Sequence, residues 1–563
     1  MKEYILGISY GHHESSCCLF SSDGGVEYVR EEWISRVKND FRFPVFSLNY
    51  LKNKHLNLED KITAVCLFEK PLKNWLGIGT KKGLSIDNYL NKLKQFKKSD
   101  IYFEKNIKKF FNKIPNVLYC PHHLSHLYTS EYLLQNNDPN TLNIILDAYG
   151  EGLSGAIYSG QGKNIKLLKE YKASSSIGIL YSGITEWCGF KPNEDEYKVM
   201  ALAGYGKTKF ADFIKKNIIQ FNETTLDITI NSDFFNFEDS GKGTIKESFI
   251  EKFGTLENNK SILEQQKILD CICSFQYTIE SIVISLINKL LLVHKDTSQV
   301  FLSGGVFHNS KLVGEITRKI NTKILVSPSP GDSGSSIGAG YFAMLCLDKK
   351  YSNKKNDNPF LGPKIPSIED YSHLFSQLKV RDTYVKILEI LANDEIFAVF
   401  SGYSEIGPRA LLSRSLCCNA KSKIALERLN IKIKKRESFR PVAPVFHKKY
   451  LFENFEFNSE SIQNSYWMGQ LIWPKENIEI KNQPFFHIDN SVRAQVYDDE
   501  FDLHKKYIPE LLQRLLIEGH IIGNTSLNIA GDPMVFLPED LYINCKRLDI
   551  KYILQEDCLY EVL

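Results

Sequence analysis

The feature that most constrains the fold of this chain is a strand–turn–strand unit that occurs twice. Residues 4–9 form an apolar run that enters a Gly/His/Ser turn, and a second apolar run follows at residues 16–20. Residues 143–147 repeat the pattern, because this β-branched run ends in an acid and Gly150, and a second strand follows at residues 155–158. Short apolar runs separated by polar turns are typical of β-hairpins. The repetition predicts an internally duplicated fold.

Helical and strand patterns alternate beyond these hairpins. Helical periodicity occurs at residues 195–203 and 262–293, and residues 299–302 form a strand that enters a Gly-Gly turn. Strands followed by glycine-rich turns and helices are typical of α/β layers. The periodicity stops after Tyr341, in KKYSNKKNDNPFLGPKIP, which indicates a linker. We therefore predict an α/β chain with a first domain at 1–345 (halves of about 1–140 and 141–345), a linker at 346–375 and a second domain at 376–563.

Composition excludes several classes of protein. Hydrophobic residues make up 43% of the 563 residues and charged residues 24%, which is typical of globular domains rather than disordered or fibrous chains. The net charge of +3 does not favour nucleic acid or an anionic membrane as a partner. The N-terminus lacks the pattern of a signal peptide, and the apolar helix predicted at residues 279–293 is too short to span a bilayer. The 12 Cys include no C-x-x-C pair. We expect a cytoplasmic protein.

Three histidines lie close together in Pro121-His122-His123-Leu124-Ser125-His126. Residues four apart share a helix face, so His122 and His126 can present two imidazoles to one metal ion. Two nitrogens do not complete a site, and Asp332 is the candidate third ligand because a carboxylate in a Gly/Ser loop can turn towards an ion. The alternative is a solvated helix end, and the spacing does not decide between the two.

Two glycine-rich loops favour a nucleotide cleft. Gly304 and Gly305 directly follow the strand VFLS, and GDSGSSIGAG spans residues 331–340. Glycine lets the backbone approach a phosphate closely at a helix N-terminus. Either loop alone is better explained as a tight turn, but the two together favour a nucleotide. Asp147 adds an acidic turn of the type that positions a metal or a phosphate.

The second domain concentrates Arg and Lys in short motifs. Arg binds phosphate and carboxylate oxygens through paired hydrogen bonds, so such clusters favour a small anionic ligand. A solvated helix face explains Lys432 and Lys435, but not the FRPVAP segment, whose Arg lies among apolar residues and Pro. The candidate anion-binding residues are Arg409, Arg414, Lys434, Arg436, Arg440 and Arg493, with Asn524 and Ser526 contributing an amide and a hydroxyl.

Ten sequence blocks resemble the O-carbamoyltransferase family, which includes nodulation-factor, cephamycin and aminoglycoside carbamoyltransferases. They follow the family's order over nearly the whole chain, which makes the resemblance specific. The blocks are GISYGHHESS, EEWISRVKNDFRFP, HHLSH, NEDEYKVMALAGYG, SGGVFHN, PSPGDSGSSIGAG, SEIGPRALLSRS, IKKRESFRPVAP, HIDNSVRAQ and GNTSLNIAGDP.

The resemblance implies a fold and a two-step reaction. It implies an actin/hexokinase-like N-terminal domain of two RNase H-like halves, similar to tRNA threonylcarbamoyl transferases, and an α/β C-terminal domain similar to threonylcarbamoyl-adenylate synthase. Carbamoyl phosphate and ATP, with Mg²⁺, are expected to form carbamoyl-adenylate in the C-terminal domain. The carbamoyl group is then expected to move to a hydroxyl of a sugar or antibiotic-like acceptor in the N-terminal domain. The resemblance leaves a homodimer open.

The resemblance also implies roles for individual residues. His122, His126 and Asp332 are expected to hold a divalent ion, Fe²⁺ in the family, with Asp147 as an extra ligand. His13 is the candidate general base, and Glu14 replaces the family's Asp as its orienter or as a substrate contact. The expected carbamoyl phosphate contacts are Lys434 and Arg440, both also assigned to catalysis, and Arg493, Asn524 and Ser526. The expected nucleotide or intermediate contacts are Arg36, Lys38, Gly304, Gly305, Asn309, Arg409 and Arg414.

The chain departs from the family pattern at four positions. Tyr403 stands where an Arg usually precedes the SEIGPRAL block, Leu412 and Asn490 replace glycines, and Asp532 replaces a Glu. We expect these changes to loosen ATP binding or to reshape a turn. Two alternatives remain, carbamoyl-type transfer to tRNA and a nucleotide-binding protein that has lost turnover, and the near-zero net charge argues against the first.

Overall fold

The computed structural model describes residues 2–11, 14–71, 97, 102–111, 115–134, 138–237, 244–349, 358–476 and 483–563. Its first sheet has the strand order β3-β2-β1-β4-β5, in which β1 pairs antiparallel with β2 and parallel with β4. The strands are β1 (Tyr4–Ser9), β2 (Ser16–Ser21), β3 (Val26–Arg30), β4 (Ile62–Leu67) and β5 (Asn116–Tyr119). The described helices of this half are α1 (Glu31–Ser35), α2 (Val45–Lys54), α3 (Leu58–Lys61), α4 (Phe103–Phe110) and α5 (His122–Leu134).

A second sheet repeats this topology. It consists of β6 (Thr141–Gly150), β7 (Leu153–Ser159), β8 (Lys166–Lys172), β13 (Gln299–Ser303) and β14 (Lys323–Val326). Its order is β14-β13-β6-β7-β8, with an antiparallel β6–β7 pair and a parallel β6–β13 pair, as in the first sheet. The predicted duplication is therefore confirmed, and the actin/hexokinase-like architecture follows from it.

The remaining elements of the second half surround this sheet. Two small hairpins are formed by β9 (Ile219–Asn222) with β10 (Asp227–Ile230) and by β11 (Phe235–Asn236) with β12 (Thr244–Ile245). The described helices are α6 (Ile177–Trp187), α7 (Glu196–Leu202), α8 (Ala211–Asn217), α9 (Glu247–Phe253), α10 (Gln266–Val293), α11 (Ser310–Lys319) and α12 (Ser335–Cys346). Although α12 ends the second half, it packs against α5 and against β1, β2 and β4 of the first half.

The C-terminal domain is built on a mixed sheet with the order β15-β24-β23-β16-β17-β22-β18-β21. Its strands, with a separate β19–β20 pair, are β15 (Phe375–Gln377), β16 (Phe397–Phe400), β17 (Arg414–Asn419), β18 (Ala443–His447), β19 (Phe455–Glu456), β20 (Trp473–Pro474), β21 (Gln495–Tyr497), β22 (Ile522–Ser526), β23 (Tyr552–Gln555) and β24 (Cys558–Val562). Its helices are α13 (Thr383–Ala392), α14 (Lys423–Glu427), α15 (Lys448–Asn454), α16 (Gln463–Tyr466), α17 (Asp502–Tyr507), α18 (Glu510–Ile517) and α19 (Pro538–Leu548). A π-helical turn, Arg428–Ile433, follows α14.

The segment predicted to be a linker at 346–375 is partly packed. Residues 350–357 lie outside the described residues, but Phe360, Ile365 and Ile368 are buried in the core of the C-terminal domain. Strand β15 begins at Phe375 and pairs with β24. The exact domain boundaries stay a prediction.

Helix α10 differs from its predicted length. It spans 28 residues instead of residues 279–293, and by length and composition it could cross a membrane, so the length argument is wrong. Half of its most apolar window is nevertheless buried inside the protein. Its buried face includes Phe275, Ile279 and Glu280, and it packs in the core of the second half.

Glu280→Gln is expected to stabilise the protein more at pH 8 than at pH 5. Burial raises the pKa of the Glu280 carboxyl to about 7, from an ordinary value of 4.5. Between these values the unfolded chain has released a proton that the folded protein keeps, so stability falls as the pH rises through this window. Urea unfolding at both pH values should show a difference of about 1–3 kcal/mol in the effect of the variant. The exposed Glu251→Gln serves as control, and equal effects of Glu280→Gln at both pH values would contradict the prediction.

Candidate functional site

Four predicted metal ligands meet in the N-terminal domain. His122 and His126 lie one turn apart on α5, and their Nε2 atoms are 3.2 Å apart. Asp147 on β6 places Oδ2 3.0 Å from His122 Nε2 and 3.1 Å from His126 Nε2. Asp332 Oδ1 lies 3.7 and 3.4 Å from the same two nitrogens. The four ligand atoms all lie within 4.8 Å of one another.

A glycine makes room for one of these ligands. Gly150 is the last residue of β6, and a Cβ atom there would lie 2.1 Å from Cδ2 and 2.7 Å from Nε2 of His122. No side chain fits at that distance, so the strand can pass behind the imidazole only as glycine. The acidic turn with its following glycine, which the sequence marks, therefore supplies both Asp147 and the space for His122.

The helices α5 and α12 approach each other closely enough to bring Asp332 to the histidines. A Cβ atom at Gly338 would lie 1.9 Å from the Ser125 carbonyl oxygen. Thr129 Oγ1 donates a hydrogen bond of 2.8 Å to the carbonyl of Gly334, two residues after Asp332 in the chain. The glycines of GDSGSSIGAG thus allow this close helix packing, and the role predicted for the loop in approaching a nucleotide stays a prediction.

The Gly304-Gly305 turn supports the carboxylate of Asp147. Gly304 has a φ of +91°, and a Cβ atom there would lie 2.2 Å from the Leu146 carbonyl oxygen. The Gly305 N–H donates a 3.0 Å hydrogen bond to Oδ1 of Asp147, which leaves Oδ2 for the histidines. The turn thus orients Asp147, and its role in binding a nucleotide stays a prediction. The backbone N–H of Gly305 is already engaged in this hydrogen bond within the protein.

The electrostatics of the cluster fit a cation. Burial is the largest single effect and opposes the charged form of an imidazole, but the nearby carboxylates, Asp147 first among them, together outweigh it and raise the pKa of His122 and His126 above the ordinary value. Against the effect of burial, the histidines hold the pKa of Asp147 and Asp332 below the ordinary range. Asp332 Oδ1 is buried and has no hydrogen-bond partner among the described residues. Two imidazoles and two carboxylates are a donor set of divalent first-row metals, so these residues fit such an ion.

Glu69 and His123 lie next to the four-residue cluster. Glu69 is buried at the end of β4, with Oε2 3.8 Å from Nδ1 of His122, on the ring edge away from the cluster. Carboxylates in this place commonly orient metal-bound histidines. His123 is outside the four-residue group, as the helix spacing predicts, and burial lowers its pKa to about 3.

A second cluster, in the C-terminal domain, is cationic. Burial lowers the pKa of Arg409 to about 10, and burial with the nearby Arg440 lowers that of Arg436 to about 9. Burial and the other three guanidinium groups hold the pKa of Arg493 well below its ordinary value. Within the described part of the chain, Arg409, Arg436 and Arg493 form no ion pair, and Arg493 Nε has no hydrogen-bond partner. Fixed positive charge without counter-charge is an anion site.

Lys434 extends this cluster. It is 2% exposed, and Nζ donates to the Ser526 carbonyl at 2.9 Å and to Asn528 Oδ1 at 2.7 Å. Burial, with Arg436 and Arg440 nearby, holds its pKa well below the ordinary value. Ser526 thus contributes its carbonyl to the lysine, and its hydroxyl donates to the same Asn528.

Asn524 lies in β22, beside Ser526. Its Nδ2 donates to the Ala410 carbonyl at 2.8 Å and to Gln495 Oε1 at 2.9 Å. Its Oδ1 is buried and has no partner within the described part of the chain. This amide therefore braces the strands and leaves only its oxygen for a ligand.

Three predicted ligand contacts instead have structural partners. Arg414 is fully buried in an ion pair with Glu405 at 2.8 Å, with its guanidinium 4.5 Å from the Trp33 ring. Arg36, at a φ of +58°, donates to the Met534 carbonyl at 2.8 Å. The side chain of Asn309 accepts from Leu312 N at 3.0 Å and so caps α11. Each of these three side chains thus has a structural role within the protein, and their assignment to nucleotide binding stays a prediction.

The loop around the predicted base is partly described. His13 lies outside the described residues, and its role stays a prediction. Glu14 accepts a hydrogen bond of 2.5 Å from Arg30, which is also 3.0 Å from Glu32. Lys38 Nζ lies 3.4 Å from Glu32 and adds to the positive surroundings that lower the pKa of Lys434. Lys38 therefore lies between Glu32 of the N-terminal domain and the cationic cluster.

Two of the departures from the family pattern lie at left-handed backbone positions. Leu412 has a φ of +70° and Asn490 a φ of +60°, where glycine is the favoured residue. The effect of the two replacements on the turns and on ATP binding stays a prediction. Asn tolerates this conformation, whereas a buried Leu adopts it at a cost of about 1–3 kcal/mol. Tyr403 is 37% exposed and packs edge-on against Tyr507, and the Asp532 carbonyl accepts from Asn528.

Sequence reasoning missed residues at the border between the domains. Tyr197 of α7 has its ring 4.5 Å from the Arg440 guanidinium, and Lys198 pairs with Glu437 at 2.9 Å. These residues lie within blocks that the resemblance marks, but neither block shows that it faces the other. Glu69 was missed because it lies between two of the ten sequence blocks and belongs to neither.

Two family models match the chain. The model described as Carbamoyltransferase N-terminus matches residues 4–341, and that described as Carbamoyltransferase C-terminus matches residues 388–561. Among curated proteins, the chain is 27% identical to an uncharacterized protein of Synechocystis sp., over 98% of this chain and 96% of that protein. It is 24% identical to 3'-hydroxymethylcephem-O-carbamoyltransferase of Amycolatopsis lactamdurans, over 80% of this chain and 82% of that protein. It is 26% identical to nodulation protein NolNO of Sinorhizobium fredii, over 74% of this chain and 60% of that protein.

Solved structures match the chain more distantly. Component A of the (R)-2-hydroxyglutaryl-CoA dehydratase of Acidaminococcus fermentans is 15% identical and has a TM-score of 0.32, over 61% of this chain and 99% of that one. HypF of T. kodakarensis is 13% identical and has a TM-score of 0.32, over 62% of this chain and 49% of that one.

Proposed function

We propose, from the premise that the chain belongs to the carbamoyltransferase family, that this enzyme is an ATP-dependent O-carbamoyltransferase that acts in two steps. The two family models together match most of the chain, which confirms the resemblance of the ten blocks. The observation that carries the two-step proposal is the uncompensated cationic cluster, which lies in the C-terminal domain, apart from the four-residue metal cluster of the N-terminal domain.

The first step needs an anion site in the C-terminal domain. Water and carbamoyl phosphate give carbamate and phosphate; a carbamate oxygen then attacks the α-phosphorus of Mg²⁺-bound ATP, and pyrophosphate leaves. All these species are anionic, so Lys434, Arg436, Arg440 and Arg493 would bind and align them while neutralising the charge that develops. Arg409 donates to the His308 carbonyl at 3.3 Å and would hold the nucleotide side.

The second step belongs to the N-terminal domain. The acceptor hydroxyl oxygen attacks the carbamoyl carbon of carbamoyl-adenylate, AMP leaves, and His13 takes the hydroxyl proton. The ion pair with Arg30 would hold the side chain of Glu14, the residue that follows His13 in the chain, in place. Divalent metal binding by the four-residue cluster, with Fe²⁺ as the family's ion, would supply Lewis-acid polarisation of the carbamoyl carbonyl. The proposed acceptor is a small hydroxylated sugar or natural product, and the proposed compartment is the cytoplasm.

The wild-type protein is expected to release pyrophosphate when it is given ATP, Mg²⁺ and carbamoyl phosphate, and to release none when carbamoyl phosphate is left out. A coupled pyrophosphate assay measures the first step, and mass spectrometry of acceptor mixtures detects a carbamoylated product in the second. Carbamoyl phosphate-independent pyrophosphate release, or none under any metal condition, would contradict the proposal. The assay separates the two steps because only the second needs an acceptor.

A further inference from the structure

The cationic cluster of the C-terminal domain has a wall that comes from the other domain. Tyr197 lies in α7, and its half-buried ring is 4.5 Å from the Arg440 guanidinium. Arg440 belongs to the same cationic cluster as Arg409, Arg436 and Arg493. A tyrosine of the N-terminal domain therefore packs on an arginine of the C-terminal cationic cluster.

The next residue of the same helix controls the only carboxylate that pairs with this cluster among the described residues. Glu437 lies 3.4 Å from Arg440, but its other oxygen lies 2.9 Å from Lys198. Lys198 thus draws Glu437 away from full neutralisation of the arginines. The aromatic face of Tyr197 stabilises the Arg440 cation without neutralising it. The helix keeps the arginines oriented and leaves their charge for a ligand.

We propose that Tyr197 is a positioning residue of the phosphate-binding site, so that the anion site of the C-terminal domain is complete only when α7 of the N-terminal domain is docked on it. This inference rests on the proposed function for the identity of the anion, which is the phosphate of carbamoyl phosphate or the triphosphate of ATP. The ring holds Arg440 in the orientation in which its N–H groups face the bound phosphate.

Tyr197→Leu is expected to raise the KM for carbamoyl phosphate or ATP about 3- to 10-fold in the pyrophosphate assay, with a smaller effect on kcat. Varying each substrate separately identifies which phosphate the site binds. Tyr197→Phe keeps the ring face and is expected to recover most of the loss. If Tyr197 were merely structural, Tyr197→Leu would lower kcat or the folded fraction. Its KM would then not be the parameter that Tyr197→Phe selectively restores.

Two further measurements keep the inference testable. Tyr205→Leu is the matched control, because Tyr205 lies on the same segment, against His487, and not on the arginines. Calorimetric titration with inorganic phosphate and with pyrophosphate measures anion binding without turnover. Tyr197→Leu is expected to weaken the affinity for at least one of these two anions by the same factor by which it raises KM. If the wild type is active and Tyr197→Leu has unchanged KM values and unchanged anion affinity, the inference about Tyr197 is overturned and the proposed function is not. A wild type that neither turns over nor binds either anion would overturn the proposed function as well.

Discussion

Gly150→Ala is expected to abolish metal binding in the N-terminal domain. The new methyl carbon would lie 2.1 Å from the imidazole of His122, which is buried and cannot move aside without leaving the cluster. Loss of an outer contact to a metal ligand typically costs about 10–100-fold in affinity, and here a ligand itself is displaced, so we expect at least about a 100-fold loss. Titration of the metal-free protein with Co²⁺, followed by its visible absorption, measures this.

The Gly150→Ala experiment separates the metal site from the fold and from the other domain. Gly519→Ala is the control for a Gly→Ala change without a collision, because its new methyl group would meet no atom within 4 Å. Carbamoyl phosphate-dependent pyrophosphate release is expected to persist in Gly150→Ala, whereas carbamoyl transfer is lost. Wild-type Co²⁺ affinity in this variant would show that His122 does not bind the metal.

Lys434→Met is expected to lower pyrophosphate release by about 100- to 1000-fold. Removal of one preorganised donor from a site that stabilises developing negative charge has effects of this size. The substitution also removes the donor shared by Ser526 and Asn528, so the strand-end loop that follows β22 loses its brace. A coupled pyrophosphate assay at saturating ATP measures the change.

Lys432→Met is the control for Lys434→Met, since Lys432 is exposed two residues away. Transfer from supplied carbamoyl-adenylate is expected to survive in Lys434→Met, because the second step uses the other domain. Pyrophosphate release within about 3-fold of wild type would remove Lys434 from the proposed first step.

The sequence predicts much of this molecule where its signals are local. The repeated hairpins predict the duplicated sheets, and the i, i+4 spacing of His122 and His126 predicts their shared face. Asp147 and Asp332 are predicted as ligands through the resemblance, and the structure places both with the histidines.

The parts that could not be predicted depend on contacts between distant segments. Arg414 lies in the same sequence block as Arg409, and only its contacts with Glu405 and Trp33 show that it packs between the two domains. Asn309 is an N-cap because α11 begins directly after it, a boundary that the motif does not reveal. The hydrogen bond from Gly305 to Asp147 could not be predicted, because the backbone freedom of glycine suits a carboxylate as well as a phosphate.

The position of α12 has a consequence for how the chain folds. This helix comes more than 300 residues after β1, yet Gly7 of β1 is packed so closely on it that a Cβ atom would lie 1.9 Å from the Ser336 carbonyl oxygen. During synthesis, the apolar face of the first sheet therefore stays uncovered until residues 335–346 have emerged. Contacts of such sequence separation slow folding and prolong exposure of apolar surface. The first half is thus made first but finishes folding only with the second, and a chain stopped before α12 is expected to aggregate.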